Sequence, residues 1–404
     1  MDEQQIRTGD NQKRAYRILL IAGIMLVAFN LRPAITSVGP VIGIIRDELG
    51  LANWSAGLLT SLPLIAFAVM SPVAPRLGNR FSNERALVFG LILLVFGIAI
   101  RVVTSVTFLY AGTLLVGCGI AISNVLLPGV LKEKFPNKVE LMTGVYSTVM
   151  GTFAAMASGI SIPIAKGLGL GWQVALIIWI IPAIAGMVLW LYLSKNNRSN
   201  DQDKVHQARS SAHGMWHSRL AWQVALFMGF QSFLFYVTIS WLPEILHDKG
   251  VSIGVAGWML SFTQIIGLPF SFLVPLIAGK LKSQWGLVIF LGLSSFSGYT
   301  GLLISHSFPM IVISTTLIGI ALGGIFPLAL AFLGMRARNA KQAAELSGMA
   351  QSLGYLLAAI GPIFIGYLYD ITNSWNVPLL TLLGLTLIVV IFGSLAGRDK
   401  YVLD

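Results

Sequence analysis

The chain has 404 residues, of which 56% are hydrophobic and only 11% are charged, and its formal net charge at pH 7 is +11. A soluble domain carries roughly 25% charged residues, so this composition excludes an ordinary water-soluble fold. The basic residues are spread over short loops between apolar runs, a pattern that argues against nucleic-acid binding and for a protein oriented in a lipid bilayer.

The apolar residues form segments of the length that a helix needs to cross a bilayer. In hydrocarbon every backbone polar group must be paired inside the protein, and barrel strands would alternate and stop after about ten residues. We therefore predict an all-α integral membrane protein of the cell membrane with twelve transmembrane helices. In chain order, the predicted segments are 18–40, 55–75, 86–104, 108–131, 141–164, 172–194, 220–243, 254–279, 287–305, 309–334, 344–369 and 376–396.

The first segment contains a permanent charge, Arg32, within the stretch "AFNLRPAITSVGP". At 1.5 Å per residue, Arg32 lies about 21 Å along its helix, past the middle of a hydrocarbon core about 30 Å thick. A central arginine costs about 2.5–3.5 kcal/mol to insert, and no predicted helix interior offers a carboxylate partner. Because an anion from outside the protein would complete the pairing, Arg32 is the leading candidate for substrate binding.

An alternative for Arg32 is structural: the side chain snorkels to the membrane interface, or it caps carbonyls freed by Pro33. Arg101 lies near the end of the third segment, and we expect it to anchor that helix at the interface.

Several later segments add amide and phenol side chains, which hydrogen-bond small polar substrates, and aromatic rings, which close over them. The competing interpretation for each of these residues is hydrogen-bonded packing between membrane helices. The candidates are Asn30 in the first segment, Asn124 in the fourth, Tyr146 in the fifth, Gln231, Phe235 and Tyr236 in the seventh, Gln264 in the eighth, and Gln351 and Tyr355 in the eleventh.

The only long polar stretch begins at Lys195 and is predicted to be a flexible linker. It divides the chain into a six-helix half at 1–194, a cytoplasmic linker at 195–218 and a second six-helix half at 219–404.

An internal repeat supports this division, because a shift of about 200 residues aligns the two halves. Gly57 then meets Gly257, and Pro75 meets Pro275. Two halves with the same membrane orientation around a central site are a transporter architecture.

The charges also predict the orientation. Of the 27 Lys and Arg residues, all but Arg32, Arg46, Arg101, Lys166 and Lys249 fall on one set of alternate loops, counted with the termini and the linker. Cytoplasmic loops are rich in Lys and Arg, so both termini and the linker are predicted to be cytoplasmic.

Longer motifs run through nearly the whole chain outside the termini and the linker. They are "NLRPAITSVGP" at Asn30, "NVLLPGVLKEKFP" at Asn124, "MTGVYS" at Met142, "GFQSFLFYVTISWLPEIL" at Gly229, "GIFPLALAF" at Gly324 and "LSGMAQSLGYLLAAIGP" at Leu346. With twelve helices in two halves and a basic loop after the second helix, the chain resembles the major facilitator superfamily, and these motifs resemble its cyanate/2-nitroimidazole transporter (CynX/NimT) branch. The resemblance implies the major facilitator fold and transport of cyanate-like anions or nitroimidazole-like planar compounds by alternating access.

The loop after the second helix departs from the superfamily pattern. The superfamily usually places an acidic residue just before the basic pair, and "LGNRFSNER" has Asn79 there. We expect Glu84 to take over that salt-bridge role in a cytoplasmic gate with Arg80 and Arg85. The alternative is a gate that relies less on charge.

Catalytic motifs such as H-E-x-x-H, a phosphate loop or a metal-binding cluster are absent from the sequence. We therefore expect no enzyme activity, no cofactor and no direct use of ATP. The expected partners are a small-molecule substrate and the bilayer, with the protein as a monomer. Two other functions stay open: a multidrug-type efflux carrier, which would favour an acid in the cavity, and a non-transporting membrane sensor, which would normally bring a soluble domain.

Overall fold

The computed structural model describes residues 2–71, 73–135, 139–196, 215–338 and 340–403, and every regular element in these ranges is helical. Most of the predicted linker therefore lies outside the described residues. The α-helices are α1 Asp2–Asn30, α2 Pro33–Thr36, α3 Val38–Leu49, α4 Asn53–Met70, α5 Ala74–Phe81, α6 Asn83–Arg101, α7 Val106–Lys134, α8 Val139–Ile162, α9 Gly171–Ile177, α10 Ile180–Asn196, α11 Arg219–Asp248, α12 Ile253–Lys280, α13 Trp285–Ile304, α14 Phe308–Met335, α15 Ala340–Thr372 and α16 Asn376–Ala396. A π-helical turn at Pro163–Gly167 extends α8, and a 3₁₀ turn at Met215–His217 precedes α11.

Twelve crossings are present in the described part of the chain, each long and apolar enough to span a bilayer. This confirms the predicted all-α fold with twelve membrane helices. An even number of crossings brings both ends of the chain to the same side. We call that side the terminal face and the opposite side the distal face.

Two of the crossings are interrupted. The first passes from α1 to α2 through Leu31 and Arg32, and the sixth passes from α9 to α10 through Ile178 and Trp179. A proline follows each break, Pro33 in the first case and Pro182 in the second. Proline has no N–H to donate and its ring crowds the carbonyl four residues earlier, so it interrupts the ladder of helical hydrogen bonds. The sequence predicted an unbroken helix in both places.

The first and last six crossings repeat the same packing. In the first six, α6 packs against α7 and α10, α4 against α7, and α1 against α10. In the last six, α13 packs against α14 and α16, α12 against α14, and α11 against α16. Each of these helices therefore has a counterpart in the other set, which is the pseudo-symmetry that the internal repeat predicted.

The two sets meet through α4 against α15, α8 against α12, and α3 against α11. At the distal end of the first contact, a Cβ atom on Gly57 would lie 2.5 Å from the carbonyl oxygen of Pro362, and one on Gly366 would lie 2.5 Å from that of Asn53. The indole of Trp241 donates to the same Pro362 carbonyl at 2.9 Å. Backbone therefore packs on backbone here, and the distal face is closed.

Replacing Gly57 by leucine tests this closure. The new side chain has no space against Pro362, so Gly57→Leu should favour a distal-open form. The measurement is the rate at which a thiol reagent modifies Thr60→Cys in a Cys118→Ala background, since Thr60 is fully buried at the same interface. We expect at least a fivefold faster reaction, about 1 kcal/mol. Gly384→Leu is the matched control because open space surrounds Gly384; equal rates in both variants would contradict the closed packing.

Candidate functional site

The break in the first crossing places Arg32 at the N-cap position of α2, with φ −121° and ψ −42°. Pro33 follows as the first residue of α2, where its missing N–H leaves no hydrogen bond unmade. Arg32 therefore projects from a helix end. The sequence had predicted that it lies within a continuous helix.

The short helix α2 is held by side chains from α8. The hydroxyl of Thr36 donates to the carbonyl of Ala154 at 3.1 Å, and Ser158 donates back to the carbonyl of Thr36 at 3.2 Å. Ser161 donates to the carbonyl of Ser37 at 3.0 Å. The two serine bonds satisfy carbonyls at the C-terminal end of α2, and all three bonds fix the segment that carries Arg32.

Arg101 provides a second support for α2. Its guanidinium donates to the carbonyl of Ala34 at 2.6 Å and to the carbonyl of Leu176 at 3.3 Å. The side chain is 1% exposed, so the prediction that Arg101 anchors its helix at the membrane interface is wrong. Both interrupted crossings free carbonyl groups near the end of α6, and one buried guanidinium with several fixed donors can serve both.

Arg32 reaches across the interface between the two sets of helices. Its Nη1 donates to the hydroxyl of Tyr236 at 3.3 Å, and its guanidinium carbon lies 5.3 Å from the centre of the Phe235 ring. Among the described residues, no carboxylate forms a salt bridge with Arg32, and its side chain donates to no carbonyl. The guanidinium is therefore held by one neutral hydrogen bond and aromatic faces, with donors left for a ligand.

Arg32 lies in the wall of a cavity of about 270 Å³, which we call cavity A. Helices α8, α11, α12 and α14 supply most of the other lining residues. The polar lining side chains are Arg32, Gln231, Ser232, Tyr236, Thr238, Thr263, Gln264, Ser271 and Tyr355. The remaining surface is apolar or aromatic, including Phe235 and Phe326. A mostly apolar cavity with a few polar groups is typical of a small-molecule site.

A second cavity of about 160 Å³, cavity B, lies on the other side of Tyr355. It is lined by Phe67, Ser71, Ala121, Asn124, Val125, Gln351 and Tyr355. The Tyr355 ring meets that of Phe67 edge-on at 5.3 Å. Tyr355 lines both cavities.

The predicted site residues do not all lie in one cavity. Those in the wall of cavity A are Arg32, Gln231, Phe235, Tyr236 and Gln264, those in the wall of cavity B are Asn124 and Gln351, and Tyr355 lies in both walls. The amide nitrogen of Gln231 donates to Met228 and Ser232, and that of Gln264 to Ser158.

Two predicted site residues lie outside both linings. Asn30 is buried and donates to the carbonyls of Leu26 at 2.7 Å and Pro182 at 3.0 Å, so it braces the break in the sixth crossing. Tyr146 packs against the apolar core of the first six crossings.

The predicted gate residues lie at the terminal face. Glu84 pairs with Lys134 at 2.9 Å, which joins α6 to α7 within the first half. The corresponding pair in the second half, Gln284 and Arg336, is also hydrogen-bonded. Arg80 and Arg85 are exposed. The Glu84–Lys134 pair connects neighbouring helices of one half, and its role in a gate between the halves stays a prediction.

The sequence did not reveal a polar cluster that joins the halves at the distal face. The carboxylate of Asp370, on α15, accepts from the backbone N–H groups of Asn53 and Trp54 at 3.1 and 2.8 Å and from the Asn53 amide at 2.7 Å. It therefore caps the N-terminus of α4, a helix of the other half, where a negative charge is favoured. In the sequence, Asp370 looked like an ordinary residue at a helix end.

Arg46 and Glu244 form a second contact in this cluster, at 3.2 Å, and Arg46 also donates to the Asn53 side chain at 2.8 Å. Burial acts to lower the pKa of Arg46, but the hydrogen bond to Asp47 and the charges of Glu244 and Asp47 outweigh it and leave that pKa raised. Arg46 therefore stays a cation. We call Arg46, Asn53, Glu244 and Asp370 the distal latch.

Comparison with known proteins agrees with this architecture. The Major Facilitator Superfamily sequence profile matches residues 21–284 and 224–402. The chain is 42% identical over 385 residues to the 2-nitroimidazole transporter of Escherichia coli K12, covering 95% of this chain and 96% of that protein. It is 25% identical over 386 residues to the cyanate transport protein CynX of the same strain, covering 94% and 98%.

Among solved structures, the nucleoside transporter NupG superimposes with a TM-score of 0.75 at 12% identity, and the match covers 94% of this chain and 98% of that one. At that identity, the likeness concerns the fold.

Removing Arg101 tests its role in holding the broken helices. Arg101→Met leaves the Ala34 and Leu176 carbonyls without this donor, and an unsatisfied buried group costs about 1–3 kcal/mol. We expect the free energy of unfolding to fall by at least about 2 kcal/mol, with partial recovery in Arg101→Lys. Thermal unfolding of the purified protein measures this. Lys166→Met, at an exposed position, is the control; a melting temperature as high as in that control would contradict the role.

Removing the Asp370 carboxylate tests the distal latch. Loss of a helix cap costs about 1 kcal/mol, so Asp370→Ala should raise the ratio of distal-open to distal-closed protein about fivefold. Thiol modification of Thr60→Cys measures this shift. Asp248→Ala is the control because Asp248 is an exposed carboxylate at the C-terminal end of α11, outside the latch. An unchanged rate in Asp370→Ala would show that the cap does not hold the face closed.

Proposed function

The chain belongs to the Major Facilitator Superfamily, and from this premise we propose that it carries a small anion or a small planar polar compound across the membrane, with Arg32 as the group that binds the substrate's negative or most polar end. Its relatives and its fold are those of membrane transporters. The proposed mechanism is alternating access, in which the two halves rock around a central site.

The observation that carries the proposal is the environment of Arg32. The side chain lies in the wall of cavity A, deep in the first crossing, with a tyrosine hydroxyl and an aromatic face as its described partners. A guanidinium at this depth is costly unless it is paired. An anion in cavity A would supply the missing pairing through charge-assisted hydrogen bonds, and the planar fork of arginine suits a flat, delocalised anion.

The aromatic side chains support a flat substrate. Phe235 and Tyr236 lie against the guanidinium, and Phe326 and Tyr355 complete an aromatic wall of cavity A. The names of two relatives, a 2-nitroimidazole transporter and a cyanate transport protein, refer to one planar compound and one small anion. A site with one cation and aromatic walls can accommodate both kinds of molecule.

We infer that the terminal face is cytoplasmic, because the loops on that side carry most of the Lys and Arg residues. The distal latch and the glycine contacts then close the outer side. In the proposed cycle, this state alternates with one in which the latch opens and the terminal face closes, with Arg32 accessible to each side in turn. The protein acts as a monomer.

The residues that line the two cavities bear on whether substrate transport is coupled to proton movement. No Asp, Glu, Lys or His is among the described residues that line cavity A or cavity B, and proton relays in membranes use such groups. We propose that transport is uncoupled or an exchange, or that the proton travels on a weak-acid substrate. A negative interior drives an uncoupled anionic charge outward by about 2.3 kcal/mol per 100 mV, so net uptake of an anion needs exchange or consumption inside.

Substitution of Arg32 tests the anchor. We expect small anions and planar heterocycles that raise the melting temperature of the wild type to bind Arg32→Gln about 10- to 100-fold more weakly, because charge-assisted hydrogen bonds contribute about 1.5–3 kcal/mol. A thermal-shift titration followed by uptake into proteoliposomes measures both affinity and transport. Ser271→Ala is the control, since Ser271 lines the same cavity without charge. Full binding and transport in Arg32→Gln would overturn the proposal.

A further inference from the structure

Cavities A and B differ in the chemistry of their walls. Cavity A contains the guanidinium of Arg32, whereas the described residues lining cavity B carry no charge. The polar groups of cavity B are two amides, Asn124 and Gln351, the hydroxyl of Ser71 and the phenol of Tyr355. The rest of its wall consists of Phe67, Ala121 and Val125. Two neighbouring cavities with such different walls select different ligands.

Cavity B also has its own place along the membrane normal. Phe67 and Ser71 lie where α4 ends toward the terminal face, while Arg32 lies in the distal part of the first crossing, which ends at Thr36. Cavity B is therefore closer to the terminal face than the guanidinium is. Tyr355 belongs to the walls of both cavities.

The hydrogen-bonding groups of cavity B are partly engaged. The Gln351 amide nitrogen donates to Ser347 at 2.7 Å, and its oxygen accepts from no described residue. The Ser71 hydroxyl donates to the carbonyl of Phe67 at 2.6 Å and keeps its lone pairs. The Asn124 amide also lines the cavity and carries two N–H donors and one carbonyl acceptor. The cavity thus presents both acceptors and a donor, without a charge.

The size of cavity B matches a single ring. Its volume is about 160 Å³, and an apolar cavity of about 150 Å³ is known to hold benzene. An anion in this cavity would lose its hydration with no cation to replace it, which is strongly unfavourable. A neutral planar molecule with a donor and an acceptor at its edge meets no such cost.

We propose that cavity B is a second binding site, which takes a small neutral planar molecule carrying both a hydrogen-bond donor and an acceptor, while cavity A holds an anion at Arg32. Both sites can be occupied at once, with Tyr355 as the partition. The inference rests on the proposed function for cavity A, but its ligand class does not depend on Arg32.

Benzamide and benzoate are a matched pair of probes, because they share a shape and differ in charge. Dissociation constants are measured by equilibrium titration of the purified full-length protein, for each probe alone and with the other at saturation. In the wild type, we expect benzamide to bind, and its dissociation constant to change less than twofold when benzoate is present.

Three variants test which cavity binds which probe. Ala121→Leu fills cavity B, and Gln351→Met removes its amide at nearly constant volume. Each should weaken benzamide binding at least tenfold and leave benzoate binding unchanged. Arg32→Gln should weaken benzoate binding at least tenfold and leave benzamide binding unchanged. Retained benzoate binding shows that the cavity B variants are folded, and Gln351→Met decides the test if Ala121→Leu does not fold.

Several outcomes overturn the second site. They are no benzamide binding to the wild type, mutual exclusion of the two probes, or benzamide binding that survives Gln351→Met but is lost in Arg32→Gln. In the last two cases one site binds both probes, and the proposed function of Arg32 still stands. If benzoate binding is unaffected by Arg32→Gln, the proposed function fails instead, and the benzamide result for Gln351→Met still decides the second site.

Discussion

The pairing of backbone carbonyls inside the membrane governs this structure. Pro33 and Pro182 interrupt two crossings, and the carbonyls freed there have no water to bind. Two serines of α8 donate to carbonyls at the end of α2, and the buried guanidinium of Arg101 donates to one carbonyl in each interrupted crossing. The compensation makes the broken segment rigid, so that Arg32 can project from a helix end into cavity A. A continuous helix would offer no such end.

The same pairing requirement shapes the interface between the halves. On the distal side the halves approach through glycines, and the carboxylate of Asp370 satisfies the free N–H groups at the start of α4. These contacts are between rigid elements of different halves, so a rocking motion can break them together without unfolding either half. The Glu84–Lys134 pair and its counterpart Gln284–Arg336 join neighbouring helices inside each half.

Charge is distributed unevenly around the central space. Arg32 gives cavity A a single positive charge, and cavity B has hydrogen-bonding groups without charge. In a medium of low dielectric constant, this difference strongly separates anionic from neutral ligands. Tyr355 belongs to both walls.

The sequence by itself determined the fold and identified many of the polar residues that line the central cavities. Apolar length predicts the twelve crossings, the repeat predicts the paired packing, and the absence of a carboxylate near Arg32 predicts a cation facing a cavity. These features follow from local composition, because hydrocarbon tolerates only paired backbone and few charges. Tertiary structure decided the roles of those side chains whose partners are distant in the sequence. In the sequence, Arg101 is interpreted as an interfacial anchor, and only the fold places the carbonyls of Ala34 and Leu176 beside it. Asp370 is a residue at a helix end in the sequence, and only the fold places the start of α4 against it. Asn30 and Gln231 are both amides in apolar helices, yet one braces a broken helix and the other lines cavity A, because only the packing of neighbouring helices determines which carbonyls are free and which faces line a cavity.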